Sequence, residues 1–244
     1  MSTDEERKNV KRVFVENHCS FGRRLIKKLL RREGINYSER KIARIFKELD
    51  IRSPYGRKKG KNVYTSENTE KYVSENLFAQ LSKETKATTE IWSMDFTEQL
   101  ANGKRQYVCG IISVTRKILV GYAIGEKCTG DLAITALNRA IAKYGQPYMV
   151  MTDRGAQFTS KAFYDTMQKN KIKHSMSRPH TPTDNRYIET FWKTMKTEIG
   201  KTNHLTPALY SLVIDYYIYY YNTLRPHSSL NYLTPFEYNL KFVI

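Results

Sequence analysis

Cysteine is scarce, with three residues in 244, and Cys19, Cys109 and Cys128 show neither paired spacing nor the clustering of zinc ligands. That argues against a disulfide framework and a structural zinc site, and the three read as packing residues in a reducing compartment. Long apolar runs are missing too. None approaches the ~20 residues that a bilayer span requires, so no membrane partner is expected. The N-terminal stretch MSTDEERKNVKRVF lacks the apolar centre of a secretory signal, which predicts a cytoplasmic protein. Acidic side chains are in short supply: 24 Asp and Glu stand against 41 Lys and Arg, for a net charge of +17. Such an excess suits a polyanionic partner, with a solvated basic surface as the alternative.

What is present divides along the chain. Residues 1–62 hold 19 basic and 8 acidic side chains, whereas residues 63–244 hold 22 and 16. Within the first region, Leu25, Ile26, Leu29 and Leu30 recur at helical spacing, with Arg23, Arg24 and Lys27 among the cations on the remaining face. Gly34 ends that helix. Ser38 is the expected N-cap of a second one, whose Ile42, Ile45, Phe46 and Leu49 share a face opposite Arg40, Lys41 and Arg44. Two short basic helices with a tight turn predict a helix-turn-helix docked on DNA, with a plain helical hairpin as the alternative. The Pro-, Gly- and Lys-rich stretch that follows carries Arg57, Lys58 and Lys59 and reads as a basic arm. Residues 63–88 read as a linker with a short helix near TEKYVSENLFAQL.

From residue 89 the pattern changes to α/β. IWSMDF, QYVCGIISV and KILVGYAI are rich in β-branched and aromatic residues with short connections, which predicts a three-strand meander. A helix closed by Gly145, the strand PYMVMTD, a helix at SKAFYDTMQKN, the strand IKHSMS and a helix from about Asp184 follow. The expected order is β-β-β-α-β-α-β-α over 89–200. Residues 201–244 form a last helix, opened by Thr206 and Pro207, and a tail packed on that core. Its many tyrosines suit packing on the core, with stacking on splayed bases as the alternative.

In a chain poor in acids, those at strand ends stand out. Asp95 ends the first strand and Asp153 the fourth, where the ligands of an open α/β sheet gather. Paired carboxylates suit Mg²⁺ or Mn²⁺, and two such ions need a third carboxylate. The segment DNRYIETFWKTMKTE offers Asp184, Glu189 and Glu198. At about 100° per residue, Ile188, Trp192, Met195 and Ile199 form a buried stripe, with Glu189 on one flank and Glu198 on the other. Asp184 precedes the helix and suits an N-cap, with metal binding as its alternative. Glu189 is the best-placed third ligand, and its alternative is a surface pair with Lys193 at i+4. His180 and His227 read as loop hydrogen-bonders rather than ligands.

WSMDFT, MTDRGAQFTS and SRPHTPTDNRYIETFWKTMKTE resemble the three signature blocks of the DDE transposases of bacterial insertion sequences, relatives of retroviral integrases. The 35 residues between Asp153 and Glu189 match the spacing of that class, and YNTLRPHSSLNYLTPFEY resembles its C-terminal block. Residues 20–60 resemble its helix-turn-helix. The loop Ser177 to Arg186 departs from the family pattern, lacking a Gly and carrying Arg186 where Ala is usual. The resemblance implies a ribonuclease H-like mixed sheet behind an N-terminal all-α helix-turn-helix region. It implies a polynucleotidyl transferase holding two Mg²⁺ (or Mn²⁺) ions on Asp95, Asp153 and Glu189, with Lys193 and Lys196 contacting DNA beside them and Arg178 and Arg186 nearby. It also implies element ends and target DNA as partners in a nucleoid-associated bacterial protein, a homo-oligomer on DNA, and an upstream-frame helix-turn-helix and leucine-zipper partner or fusion. The rival expectations are a non-catalytic DNA-binding regulator or assembly subunit, disfavoured by three acids facing DNA, and a ribonuclease H-like nuclease, disfavoured by the basic helical pair.

Overall fold

The computed structural model describes residues 2–55, 72–178 and 185–240. They belong to two compact units, one drawn from Met1–Val63, Thr194–Gly200 and Thr223–Ile244, the other from Tyr64–Lys193 and Lys201–Asn222. Residues 201–244, expected together on the core, divide: 201–222 group with the sheet and the residues from Thr223 with the N-terminal helices.

The first unit opens with a helix that sequence reading left unassigned, α1 (Asp4–Glu16). Thr3 and Glu6 cap it reciprocally, and three acids in its first turn oppose the helix dipole. The helix-turn-helix pair follows as α2 (Arg23–Arg32) and α3 (Glu39–Glu48). Gly34 takes a φ of 81°, a left-handed conformation that suits glycine after a helix. Ser38 accepts a hydrogen bond from the Lys41 backbone N–H at 3.1 Å, as expected of an N-cap. Val10, Val13, Phe14, Ile26, Leu30, Ile42, Ile45 and Phe46 are buried between the three helices.

In the second unit, two short helices, α4 (Leu77–Gln80) and α5 (Lys83–Thr88), occupy the predicted linker. Leu77, Phe78 and Leu81 pack against Ile91, Met149 and Met151, so this segment is part of the core rather than a spacer. The strands are β1 (Ile91–Ala101), β2 (Lys104–Ser113), β3 (Leu119–Gly125), β4 (Met149–Thr152) and β5 (Lys173–Met176). They form one sheet in the order β3-β2-β1-β4-β5, antiparallel across the meander and parallel on the β4 side. Helix α6 (Gly130–Tyr144) links β3 to β4, and α7 (Lys161–Lys169) links β4 to β5. A Cβ on Gly121 would stand 2.6 Å from the Ala140 Cβ, so a glycine on β3 facing alanines on α6 sets how closely that helix approaches the sheet. The element order is the one expected from the sequence.

Strand alternation sorts β1 between two environments. Trp92, Met94 and Phe96 join the cluster beneath α6 and α7, leaving Ser93 and Asp95 on the opposite side. That side faces α8 (Arg186–Ile199), and Asn185, just before the helix, accepts a hydrogen bond from the Ser93 hydroxyl. Helix α9 (Pro207–Thr223) starts at Thr206, whose hydroxyl accepts from the Leu209 N–H at 3.3 Å. Tyr210, Tyr217, Tyr220 and Tyr221 are buried, while Tyr216 and Tyr219 are exposed. The first unit closes with a 3₁₀ turn at Ser228–Leu230 and α10 (Pro235–Leu240).

Candidate active site

Parallel pairing of β1 with β4 matches Ile91 to Met149, Trp92 to Val150 and Ser93 to Met151. Two residues past the last of these pairs come Asp95 and Asp153, near enough for the charge of Asp153 to act on Asp95. Asp153 lies just past β4, in a loop where its Oδ1 accepts the Gly155 N–H at 2.9 Å. Glu189 approaches from the first turn of α8. The helix is fixed there by Asn185, whose side chain also donates to the Met94 carbonyl at 3.3 Å, directly beside Asp95.

The charge of Asp153 reaches both of the other carboxylates. Burial pushes the Asp95 carboxyl well above its usual range, Asp153 pushes it further, and Glu189 adds to the same effect. Burial also raises Asp153, against the hydrogen bond from Gly155. Glu189 is raised by burial and then by the charge of Asp153. Asp95 is half-buried while Asp153 and Glu189 reach the surface, so a cation arriving from solvent could meet all three carboxylates and offset the charge that raises them. The donors are all carboxylate oxygens, which suits Mg²⁺ or Mn²⁺. Among the described residues no group of three His, Cys, Asp or Glu side chains is gathered at metal-ligand distance, so the acids share a site without having converged on a point.

The other acids of the opening helix take different places. Asp184 and His180 lie outside the described residues. Glu198, expected on the far flank of α8, does turn away from Glu189, but into the interior: its side chain is fully buried and held by Arg225 at 2.7 Å and by the Tyr55 hydroxyl at 2.6 Å, all within the first unit. Of the predicted stripe, Ile188, Trp192 and Met195 are buried and Ile199 only partly, and Phe191, which the stripe omitted, is fully buried. Cys109 packs as expected, but Cys19 and Cys128 are exposed. His227 caps a short 3₁₀ turn.

Asn185 and Gly110 stand outside the sequence expectations, which place Trp192 only on the buried stripe. Gly110 pairs with Asp95 across β1 and β2, and a Cβ there would stand 2.5 Å from the Trp192 ring. A glycine inside an apolar strand was the available signal, since it marks a close approach.

The predicted DNA contacts differ in how they are engaged. Lys193 is exposed and Lys196 partly so, on the same helix as Glu189. Arg178 is exposed, and the Arg186 guanidinium lies over the Tyr187 ring at 5.2 Å. In the helical unit Lys41 pairs with Glu6, Arg24 with Glu39 and Arg44 with Glu48. Arg23, Lys27 and Arg40 make no ion pair among the described residues. Arg57, Lys58 and Lys59 lie outside the described residues. No described helix is long and apolar enough to cross a membrane.

Family models match in three places: an HTH-like domain over residues 2–59 and an integrase core domain over 85–182 and again over 170–235. An insertion element IS407 protein of Burkholderia multivorans is 30% identical, covering 91% of this chain and 76% of the relative. The transposase for insertion sequence element IS904 of Lactococcus lactis is 28% identical, with 94% and 91% covered. An insertion element IS476 protein of Xanthomonas euvesicatoria is 28% identical over 92% of this chain, which spans 62% of that relative's length. Among solved structures, the HTLV-2 integrase catalytic core domain in complex with magnesium, in its trimeric form, aligns with a TM-score of 0.50 at 19% identity, covering 61% of this chain and 95% of that one. That likeness concerns the fold, a ribonuclease H-like sheet.

Proposed function

The chain belongs to the insertion-sequence transposases built on an integrase core, and from that premise we propose that it cuts and joins DNA strands at element ends by phosphoryl transfer, with Asp95, Asp153 and Glu189 as its DDE triad. The observation that carries the reading is the gathering of three carboxylates from β1, the β4 loop and α8, close enough that the charge of Asp153 raises both Asp95 and Glu189. Asp95, Asp153 and Glu189 would hold two divalent cations. When bound, such ions stabilise the charge on the attacking and leaving oxygens of an in-line displacement. The protein's own contribution is placement. Asp95 is fixed by the sheet register and Asp153 by the Gly155 N–H. Glu189 is set by the Asn185 clamp on Ser93 and Met94. Lys193 and Lys196 hold the DNA backbone near the acids, and the Arg23 and Lys27 face of α2 holds it at the helix-turn-helix. Two ends must be joined, so the working form is an assembly of copies on DNA.

The test is strand transfer on DNA carrying the inverted repeats that flank the gene, with Mg²⁺ or Mn²⁺. Asp95→Ala, Asp153→Ala and Glu189→Ala should each lower the rate ~10³-fold or more, the loss of several kcal/mol of transition-state stabilisation. Retained activity in all three variants would sink the assignment.

A further inference from the structure

The indole of Trp192 is a buried polar group of the site that the phosphoryl-transfer reading leaves without a task. Trp192 is 5% exposed, and its ring sits in the notch that Gly110 leaves on β2. Gly110 is the register partner of Asp95, so the same notch brings the indole to the flank of that carboxylate. The buried Nε1–H forms no hydrogen bond of normal length and angle, although it lies near enough to the Asp95 carboxyl to act on it. A buried donor left without a partner is destabilising and is rare in a well-packed core. Its electrostatic influence already falls on Asp95, where it favours the ionised carboxylate against burial and the neighbouring acids.

We propose that Trp192 is a positioning residue for Asp95, its indole Nε1–H donating to the Asp95 carboxylate in the working enzyme and fixing which oxygen faces the ligands. This rests on Asp95 being a metal-holding acid. The logic is that of a support behind a ligand. A carboxylate hydrogen-bonded on one oxygen presents the other in a set direction, and such supports commonly affect metal affinity by tenfold or more. The tryptophan is suited to this task by its rigidity, since the ring is wedged between Phe191, at a centroid distance of 4.9 Å, and the glycine notch. Glu189 lies on the same helix, so the wedge that aims the N–H at Asp95 also holds the spacing between two of the three acids.

Indole resonances of the full chain provide a direct test. There are two tryptophans, and the Trp92 indole donates to Glu90 at 2.6 Å, which supplies an internal reference. In ¹⁵N-labelled protein at neutral pH, Asp95→Asn should move the Trp192 indole proton upfield and leave the Trp92 signal in place. Adding Mg²⁺ should move the Trp192 signal of the parent chain and leave that of Asp95→Asn unmoved. Trp192→Phe, which assigns the resonance and keeps a ring in the notch, should lower Mn²⁺ affinity and strand transfer ~10-fold, the value of one hydrogen bond to a charged group. A Trp192 resonance unmoved by Asp95→Asn, or a folded Trp192→Phe chain with parental Mn²⁺ affinity, would overturn the proposal. A parent chain that transfers no strand would instead count against the proposed function, with the indole shifts still reporting the contact.

Discussion

Burial converts three ordinary side chains of the first unit into a linked set. Glu198 has no exposed side-chain surface, and Arg225, 11% exposed, meets it through Nε and Nη2 while the Tyr55 hydroxyl donates to Oε1. Burial and the Glu198 charge both push the Tyr55 hydroxyl up, so it stays a donor at all working pH. Breaking such a set strands a charge. Arg225→Ala should destabilise the fold by about 3 to 5 kcal/mol in urea unfolding, whereas Glu198→Leu combined with Arg225→Met should cost far less. In the second unit, His174 is buried against Phe163 with Thr152 hydrogen-bonded to its Nε2, and burial lowers its pKa to about 4 from 6.5. The unfolded imidazole therefore gains its proton below pH 6.5, while the folded one resists until about 4. Its contribution is complete above pH 6.5 and falls by about 3 kcal/mol as the pH drops through that window. Comparing urea midpoints of the parent and His174→Gln at pH 7 and pH 5 isolates this from the carboxylates; the parent should lose its advantage at the lower pH.

At the scale of elements, the seating of α8 decides the geometry of the acids. One end is held by Asn185 on β1 and the next turns by Trp192 over Gly110. Gly110→Ala would drive a methyl group into the indole, an overpacking that costs typically about 1 to 3 kcal/mol, and it should lower strand transfer beyond what the lost stability explains. Thermal unfolding and strand-transfer rates of the same preparation separate the two effects; parental activity would mean that the notch serves packing alone. The strands were legible because β-branched runs alternate, and the three acids of the proposed site stand out because acids are rare in a basic chain. The seat was not, because it joins residues about 80 to 90 positions apart that carry no motif. The helix α1 was legible and overlooked: Thr3, Glu6, Val10, Val13 and Phe14 spell a capping box and a helical stripe.

For the whole chain, the division into units was only partly legible. Charge separates the N-terminal region, yet nothing in the sequence says that Arg225 and Glu198 return to it, because that membership depends on a buried ion pair rather than on composition. The same accounting of pairs refines where DNA should be held. A basic residue already matched by an acid releases little on binding phosphate, and on α3 both Lys41 and Arg44 are matched in this way. On α2, Arg23, Lys27 and Arg31 recur at intervals of four and make no ion pair among the described residues, so they form a single row of uncommitted charge. Each phosphate contact releases counterions, and log K falls with log salt by about 0.9 per contact. Replacing Arg23, Lys27 or Arg31 by Ala should therefore flatten the salt dependence of end-DNA binding by about one unit of slope each, and Lys41→Ala by much less. Fluorescence anisotropy of labelled end DNA across a KCl series measures the slopes, and equal effects from α2 and α3 would mean that the pairs seen within the unit open when DNA arrives.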